Sequence, residues 1–315
     1  MPWPQITDDD VLAVRPRKNP LDPWKPYAFL VETERSSAGS IDDVLTIFLT
    51  NRECPFRCTM CDLWRNTLDQ RVPLGAIPAQ IDYACERLPA ANHVKLYNAG
   101  NFFDPQAIPR EDHAEIAGRV RPFKTVIVEN HPRFTGDDCI RFRDLIETNL
   151  EVAIGLETVH PSILASLNKR MTVDDFDKAA SLLIENQIAV RTFLLLKPPG
   201  LDEEAGIDWA FRSIKHAVET GVSCISLIPT RSGNGLMEQL EVSGKFSAPR
   251  IQSMERILER GLEYVQTCRP TTRVFMDIWD ASRFFHCEKC GPARIDRIQR
   301  MNLSQQIEPP IECHC

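Results

Sequence analysis

VLTIFLT (44–50) runs directly into NRECPFRCTMCDLW (51–64), and the junction between the two decides the fold. The first stretch is short, apolar and rich in β-branched residues, which is the composition of a buried strand. The second places Cys54, Cys58 and Cys61 at i, i+4 and i+7, on a loop that begins where the strand ends. A closed zinc site takes four ligands, and no histidine or fourth cysteine lies nearby. Three thiolates meet a different need. Bound to an iron–sulfur cube, they leave one iron without a protein ligand, open to an amine and a carboxylate.

Outward from this junction the apolar runs recur. HVKLYNAG (93–100), KTVIVEN (124–130), EVAIGLE (151–157), AVRTFLLLK (189–197) and SCISLIPT (223–230) each read as a strand, and RVFMDIW (273–279) reads as a seventh. The stretches between them carry apolar residues at helical spacing. Thr172 followed by Asp175 resembles a capping box at one helix start. Strands nearly apolar on both faces, alternating with helices, predict a parallel sheet with helices outside. At least six such units predict a full or partial barrel, with a doubly wound sheet as the alternative. In either architecture ligands collect at the C-terminal ends of the strands. The unusual residues fall there: the three cysteines, then Asn98, Gly100 and Asn101, then Glu129, Glu157, Lys197 and Arg231.

Composition bounds the rest. The chain has 315 residues, 43% hydrophobic and 26% charged, which is globular usage. Apolar runs such as Phe193 to Leu196 fall far short of the roughly 20 residues of a membrane span. The start, MPWPQITDDD, is neither a secretory signal nor a transit peptide. A cytoplasmic protein without membrane partners is expected. The net charge of −7 provides no global basic field for nucleic acid. Residues 1–42 hold Pro2, Pro4, Pro16, Pro20, Pro23 and Pro26 and read as an irregular extension. Cys85, Cys139, Cys224 and Cys268 stand alone in periodic or apolar stretches and read as small core residues.

The tail holds a second thiol group. Cys287-x2-Cys290 is a metal knuckle and Cys313-x-Cys315 adds two thiolates, with His286 and His314 adjacent. Two pairs suit tetrahedral zinc and also a second Fe–S cluster. Between the pairs, Arg294, Arg297 and Arg300 recur every three residues on an expected helix. They form either a basic face for tRNA phosphate or a solvated face paired with Glu288 and Asp296.

The C-x3-C-x2-C spacing after the first strand resembles the radical SAM superfamily over about residues 44–230. YNAGNFFDPQAIP, VIVENHPRF, VAIGLETVHPSILASLNKRMTVDDF, TFLLLKPPGLDEEAGIDWAFRSI and SLIPT are most similar to one branch. It contains the radical SAM subunit of archaeosine synthase and, more distantly, the Elongator-type catalytic domain. The resemblance implies a partial (β/α)6 TIM-like barrel over 43–235, a helix and strand completing it over 236–282, and a Cys-rich metal-binding tail over 283–315. It implies a [4Fe–4S] cluster on Cys54, Cys58 and Cys61 that cleaves S-adenosylmethionine (SAM) reductively to a 5′-deoxyadenosyl radical. Asn98, Gly100 and Asn101 then stand where the SAM amino group is held. Glu129 and Glu157 face its ribose or amino group, or the substrate. Lys197 and Arg231 are candidates for an acidic group of the cofactor. In that branch the substrate is a lysine adduct of 7-cyano-7-deazaguanine in tRNA. An electron donor such as flavodoxin or ferredoxin and a partner subunit are further expectations. ECPFRCTMCDLW departs in part from the archaeal pattern, with Met60 at a position often aromatic. The alternatives are radical chemistry on a small metabolite or peptide, and a non-catalytic zinc- or RNA-binding protein.

Overall fold

The computed structural model describes residues 6–313. Cys315 and His314 lie outside the described residues. Eight strands form one sheet whose order follows the chain: β1 (Ala28–Arg35), β2 (Ile41–Leu49), β3 (His93–Asn98), β4 (Thr125–Asn130), β5 (Asn149–Glu157), β6 (Ala189–Leu196), β7 (Cys224–Pro229) and β8 (Arg273–Met276). From β2 to β8 every neighbouring pair is parallel. A doubly wound sheet needs a reversal of strand order. The order here runs one way only, so the sheet curls into an open barrel with helices outside. The expected capping box is present. Thr172 Oγ1 accepts from the Asp175 amide at 3.1 Å, and the Asp175 carboxylate accepts from the Thr172 amide at 2.8 Å. Among the described residues no helix is long and apolar enough to cross a membrane.

Three expectations need correction. The N-terminal extension is not irregular throughout. It contains the helix Asp8–Ala13, capped by Thr7, and the strand β1, which forms an antiparallel hairpin with β2. Phe29 and Val31 of β1 pack on the core, while Glu32 and Glu34 turn inward to Lys95 and Arg191. The apolar residues of β1, Ala28 to Val31, fill only the first half of the strand, and the second half, ETER, is wholly polar. The barrel strands are also not apolar on both faces. Val94, Leu96, Val126, Val128, Val152 and Ile154 belong to the core that joins sheet to helices. The alternate positions hold Lys95, Glu151, Arg191 and Arg273, which pair across the barrel floor. Finally, Cys139 and Cys224 are buried as expected, but Cys85 and Cys268 are exposed.

The open edge at β8 would present unpaired backbone groups. The helix Gly291–Ser304 covers it with side-chain amides. Asn302 accepts from the Met276 amide at 2.9 Å and donates to its carbonyl at 2.8 Å. Gln305, just past the helix, does the same for Val274 at 2.7 and 2.9 Å. Two amide side chains thus stand in for a ninth strand.

Candidate active site at the strand C-termini

The three-cysteine loop leaves β2 and is held from several sides. Glu53 donates its amide to the Leu68 carbonyl at 3.0 Å, and Leu68 donates to Asn51 at 2.8 Å. The Thr59 amide donates to the Leu167 carbonyl at 2.9 Å, and Asn168 Nδ2 donates to the Arg57 carbonyl at 2.9 Å. Asn234, from the loop after β7, donates to the Thr59 and Cys61 carbonyls at 2.7 and 3.2 Å. Met60 packs beside two small apolar clusters and acts as a hydrophobic cover. Phe56 stacks on His131 with ring centroids 4.0 Å apart.

This framing gathers the thiols. Burial raises the pKa of Cys54, Cys58 and Cys61, that of Cys61 to about 12, and the thiols raise one another where they meet. Protons therefore stay on the sulfurs unless a metal displaces them. Asn101, in the loop after β3, donates Nδ2 to Cys54 Sγ at 3.4 Å. Lys169 is buried and its charge acts on both Cys54 and Cys58. Burial by itself would lower the Lys169 pKa, but Glu157 and the thiols hold it above its ordinary value.

The other expected residues separate into two groups. Asn98 ends β3 with both side-chain amide atoms buried and no hydrogen-bond partner among the described residues. Asn51 Oδ1 is orphaned in the same way. Buried polar groups are rarely left unpaired, so these atoms mark a place for a polar ligand. Gly100 belongs to the same cradle. A Cβ there would sit 3.0 Å from Asn51 Nδ2 and 3.3 Å from Asn98 Nδ2. Glu129, at the end of β4, accepts from the Asn98 amide at 3.2 Å. Burial pushes its carboxyl up to about 7. Glu157 ends β5 with φ +64° and pairs with Lys169. Asn98, Gly100, Asn101, Glu129 and Glu157 thus meet the cysteine loop around one mouth.

Lys197 and Arg231 do not join them. Lys197 turns to Glu203 at 2.6 Å and Ser247 at 2.9 Å, and its side chain lies against Gly206 of the helix Glu203–Thr220. Arg231 bonds Asp277 at 3.1 Å and the Trp279 carbonyl at 2.8 Å, on the rim beyond β7 and β8.

Residues that sequence reasoning passed over complete the mouth. Lys169, from the NKR segment, is one of them, buried beside Glu157. Tyr27, Phe48, Tyr97 and Phe193, all half-buried, and the exposed Trp279 form an aromatic chain, with centroid separations of 5.6, 6.3, 6.3 and 6.4 Å for Tyr27–Phe48, Phe48–Tyr97, Tyr97–Phe193 and Phe48–Trp279. Their signal was the period-two spacing of Phe48 and Tyr97 with Thr46 and Lys95, which puts all four on the inner face.

The bulge at Gly155 gives a direct test of the Glu157–Lys169 pair. A Cβ at Gly155 would lie 2.2 Å from both Glu157 Oε1 and Lys169 Nζ. Gly155→Ala must therefore displace both side-chain ends. Because the pair is buried, the expected loss of stability is about 3 kcal/mol or more, read from chemical denaturation. An unchanged midpoint would show that the pair can move aside at no cost.

The tail brings Cys287, Cys290 and Cys313 together, with all three sulfurs within 4.8 Å of one another. The basic face does not exist. Arg294 and Arg297 are buried against Glu255, and Arg297 also pairs with Glu259; only Arg300 is on the surface, paired with Glu308. Glu288 and Asp296 are not their partners in these pairs.

No family model matches the chain. It is 26% identical over 317 residues to an uncharacterised protein of Methanocaldococcus jannaschii, covering 93% of this chain and 86% of that one. It is 27% identical over 273 residues to archaeosine synthase subunit beta of Methanosarcina acetivorans, covering 82% and 77%. Among solved structures it is similar to the N-terminally truncated Elp3 of Methanocaldococcus infernus, with a TM-score of 0.53 and 14% identity over 82% of this chain and 63% of that one. The chain is thus similar in sequence to archaeosine synthase subunit beta, as read from its motifs, and similar in fold to the truncated Elp3.

Proposed function

We propose that this chain is a radical SAM enzyme acting on a modified nucleoside of tRNA, as one subunit of an archaeosine-synthase-like enzyme. The observation that carries the radical SAM assignment is the meeting of three half-buried thiols with orphaned Asn98 and Asn51 atoms at the strand C-termini. The donor set fits the groups it would hold. Cys54, Cys58 and Cys61 provide three thiolates and leave one corner of a cube open. Asn98, Gly100 and Asn101 provide polar atoms and a side-chain-free approach for the methionine end of SAM. When bound, the [4Fe–4S] cluster and SAM supply a carbon-centred radical that abstracts hydrogen.

The chain's own residues hold and shelter. Lys169 places a positive charge beside the thiolates, which favours their deprotonated form. Glu157 fixes that lysine. The half-buried aromatic rings offer flat surfaces on which a base can stack. The tRNA assignment and the need for a partner subunit rest on the relatives named archaeosine synthase subunit beta. The electron donor belongs to the flavodoxin or ferredoxin class. Burial of Arg294 and Arg297 favours a second reading, a small metabolite or peptide substrate, because it removes the basic face that the sequence offered to phosphate.

One experiment separates these. The protein is reconstituted anaerobically with iron and sulfide, then incubated with SAM and a strong reductant, with and without total tRNA. Formation of 5′-deoxyadenosine that rises with tRNA is the expected result. Formation indifferent to tRNA supports the second reading. No 5′-deoxyadenosine under any condition overturns both.

A further inference from the structure

We propose that Cys287, Cys290 and Cys313 hold a single zinc ion, and that a buried arginine clamp delivers Cys313 to it. The spacing of the sulfurs is the first argument. Zinc–thiolate bonds of about 2.3 Å in a tetrahedron put neighbouring sulfurs about 3.8 Å apart. The three tail sulfurs already lie within 4.8 Å of one another. An iron–sulfur cube spreads its ligands over separate iron corners, so its cysteines cannot be gathered so tightly. One ion fits, and a cube does not.

The second argument is how the chain builds the site. Cys287 and Cys290 form a turn that enters the helix Gly291–Ser304. The Gly291 amide donates to the Cys287 carbonyl at 2.9 Å, and the Arg294 amide donates to Cys290 at 3.0 Å. Gly291 has no room for a side chain, because a Cβ would lie 2.6 Å from the Phe285 ring. The helix N-terminus itself favours negative thiolates. Cys313 arrives from the far side of the helix, 23 residues after Cys290, and needs guidance. Arg297 donates to the Pro309 carbonyl at 2.7 Å and also to that of Glu308. Arg294 donates to the Ile311 carbonyl at 3.1 Å. Glu255, on the helix Ile251–Cys268, binds both guanidinium groups. The residues that resembled a tRNA contact are thus the clasp that turns the tail back. Arg294 has one more bond, from Nε to Cys290 Sγ at 3.4 Å. A guanidinium donor to a thiolate offsets its charge, as outer partners of metal ligands do.

The position gives the ion a purpose. The helix it anchors carries Asn302, which with Gln305 seals the edge of β8. The loop leading to the knuckle carries Asp277 and Trp279 at the mouth. The ion therefore fixes one wall of the barrel, independently of what the mouth binds.

Metal analysis tests the proposal without reference to turnover. Protein purified with zinc present is expected to retain about one zinc per chain after dialysis. The variant Cys54→Ala/Cys58→Ala/Cys61→Ala should keep that zinc and hold no iron after reconstitution. Cys313→Ser in the otherwise natural chain should lose zinc but keep its iron, which decides the matter even if the triple variant fails to fold. Arg294→Met should release zinc to a chromophoric chelator about 10–100-fold more readily. Iron and labile sulfide retained in the triple variant would overturn the single-ion site. So would zinc absent from the unaltered chain, or unaffected by Cys313→Ser.

Discussion

Cys58→Ala is expected to abolish 5′-deoxyadenosine formation and to remove the iron–sulfur cluster, while the barrel remains folded. The middle cysteine lies between its two partners, and its charge is coupled to Cys54, Cys61 and Lys169. Two remaining thiolates leave two iron corners without protein ligands, and such a cube is lost to solvent. Reconstituted iron, about four per chain with the cluster present, should fall close to zero. The loop itself should survive. Its hydrogen bonds to Leu167, Asn168 and Asn234 use backbone and asparagine atoms, not the Cys58 sulfur. The tail zinc gives an internal control, because its ligands belong to different elements and its occupancy should not change. A variant that keeps its iron and its 5′-deoxyadenosine yield would refute the assignment of this loop. One that loses iron and zinc together would point to global unfolding, and the milder Cys58→Ser with a circular dichroism check would then separate ligand loss from collapse.

What was legible in the sequence follows a physical line. Apolar β-branched runs report strands whose outer faces meet helices, and β2 to β8 all carry such faces. Placement of unusual residues after those runs reports a mouth, and Asn98, Gly100, Asn101, Glu129 and Glu157 do meet there with the thiols. Lys197 stood at an equally good position but turned outward. Glu203 and Ser247 hold its ammonium on the helix side, and strand alternation cannot foresee partners that come from other elements. The arginine triplet misled for a related reason. Helical spacing says that side chains share a face but not what covers it, and here the returning tail and Glu255 cover it. Lys169 was hidden because its partners, Glu157 and the cysteines, are remote in sequence. The antiparallel β1 was hidden because it lies in a proline-rich segment and its second half, ETER, is wholly polar and holds Glu32 and Glu34.

Those acidic residues lead to the second large effect. The barrel floor combines Glu32, Glu34 and Glu151 with Lys95, Arg191 and Arg273, three negative and three positive groups. Glu151 is the best buried carboxylate of the three and binds Arg191 at 2.6 Å and Arg273 at 2.8 Å. Glu151→Gln keeps the shape but leaves the floor with one uncompensated buried positive charge. The expected loss is about 3–5 kcal/mol, measured by chemical denaturation at neutral pH. Glu32→Gln is the contrast. Its side chain is 42% exposed and Lys95 retains Glu34, so the loss should be about 1 kcal/mol or less. The pH dependence has a definite sign. Burial alone would raise the Glu34 and Glu151 pKa values, but the facing arginines, with Lys95 for Glu34, hold both below the ordinary carboxylate range. Carboxylates of this kind stabilise the fold fully above the unfolded-state value of about 4.3. That stabilisation is lost as pH falls through the depressed folded values. The unaltered chain should therefore lose stability steeply below about pH 4. Glu151→Gln lacks one of these groups, so its profile should be flatter there and approach that of the unaltered chain in acid. Parallel profiles, with the same gap at pH 3 as at pH 7, would show that the effect of Glu151 is packing and not charge.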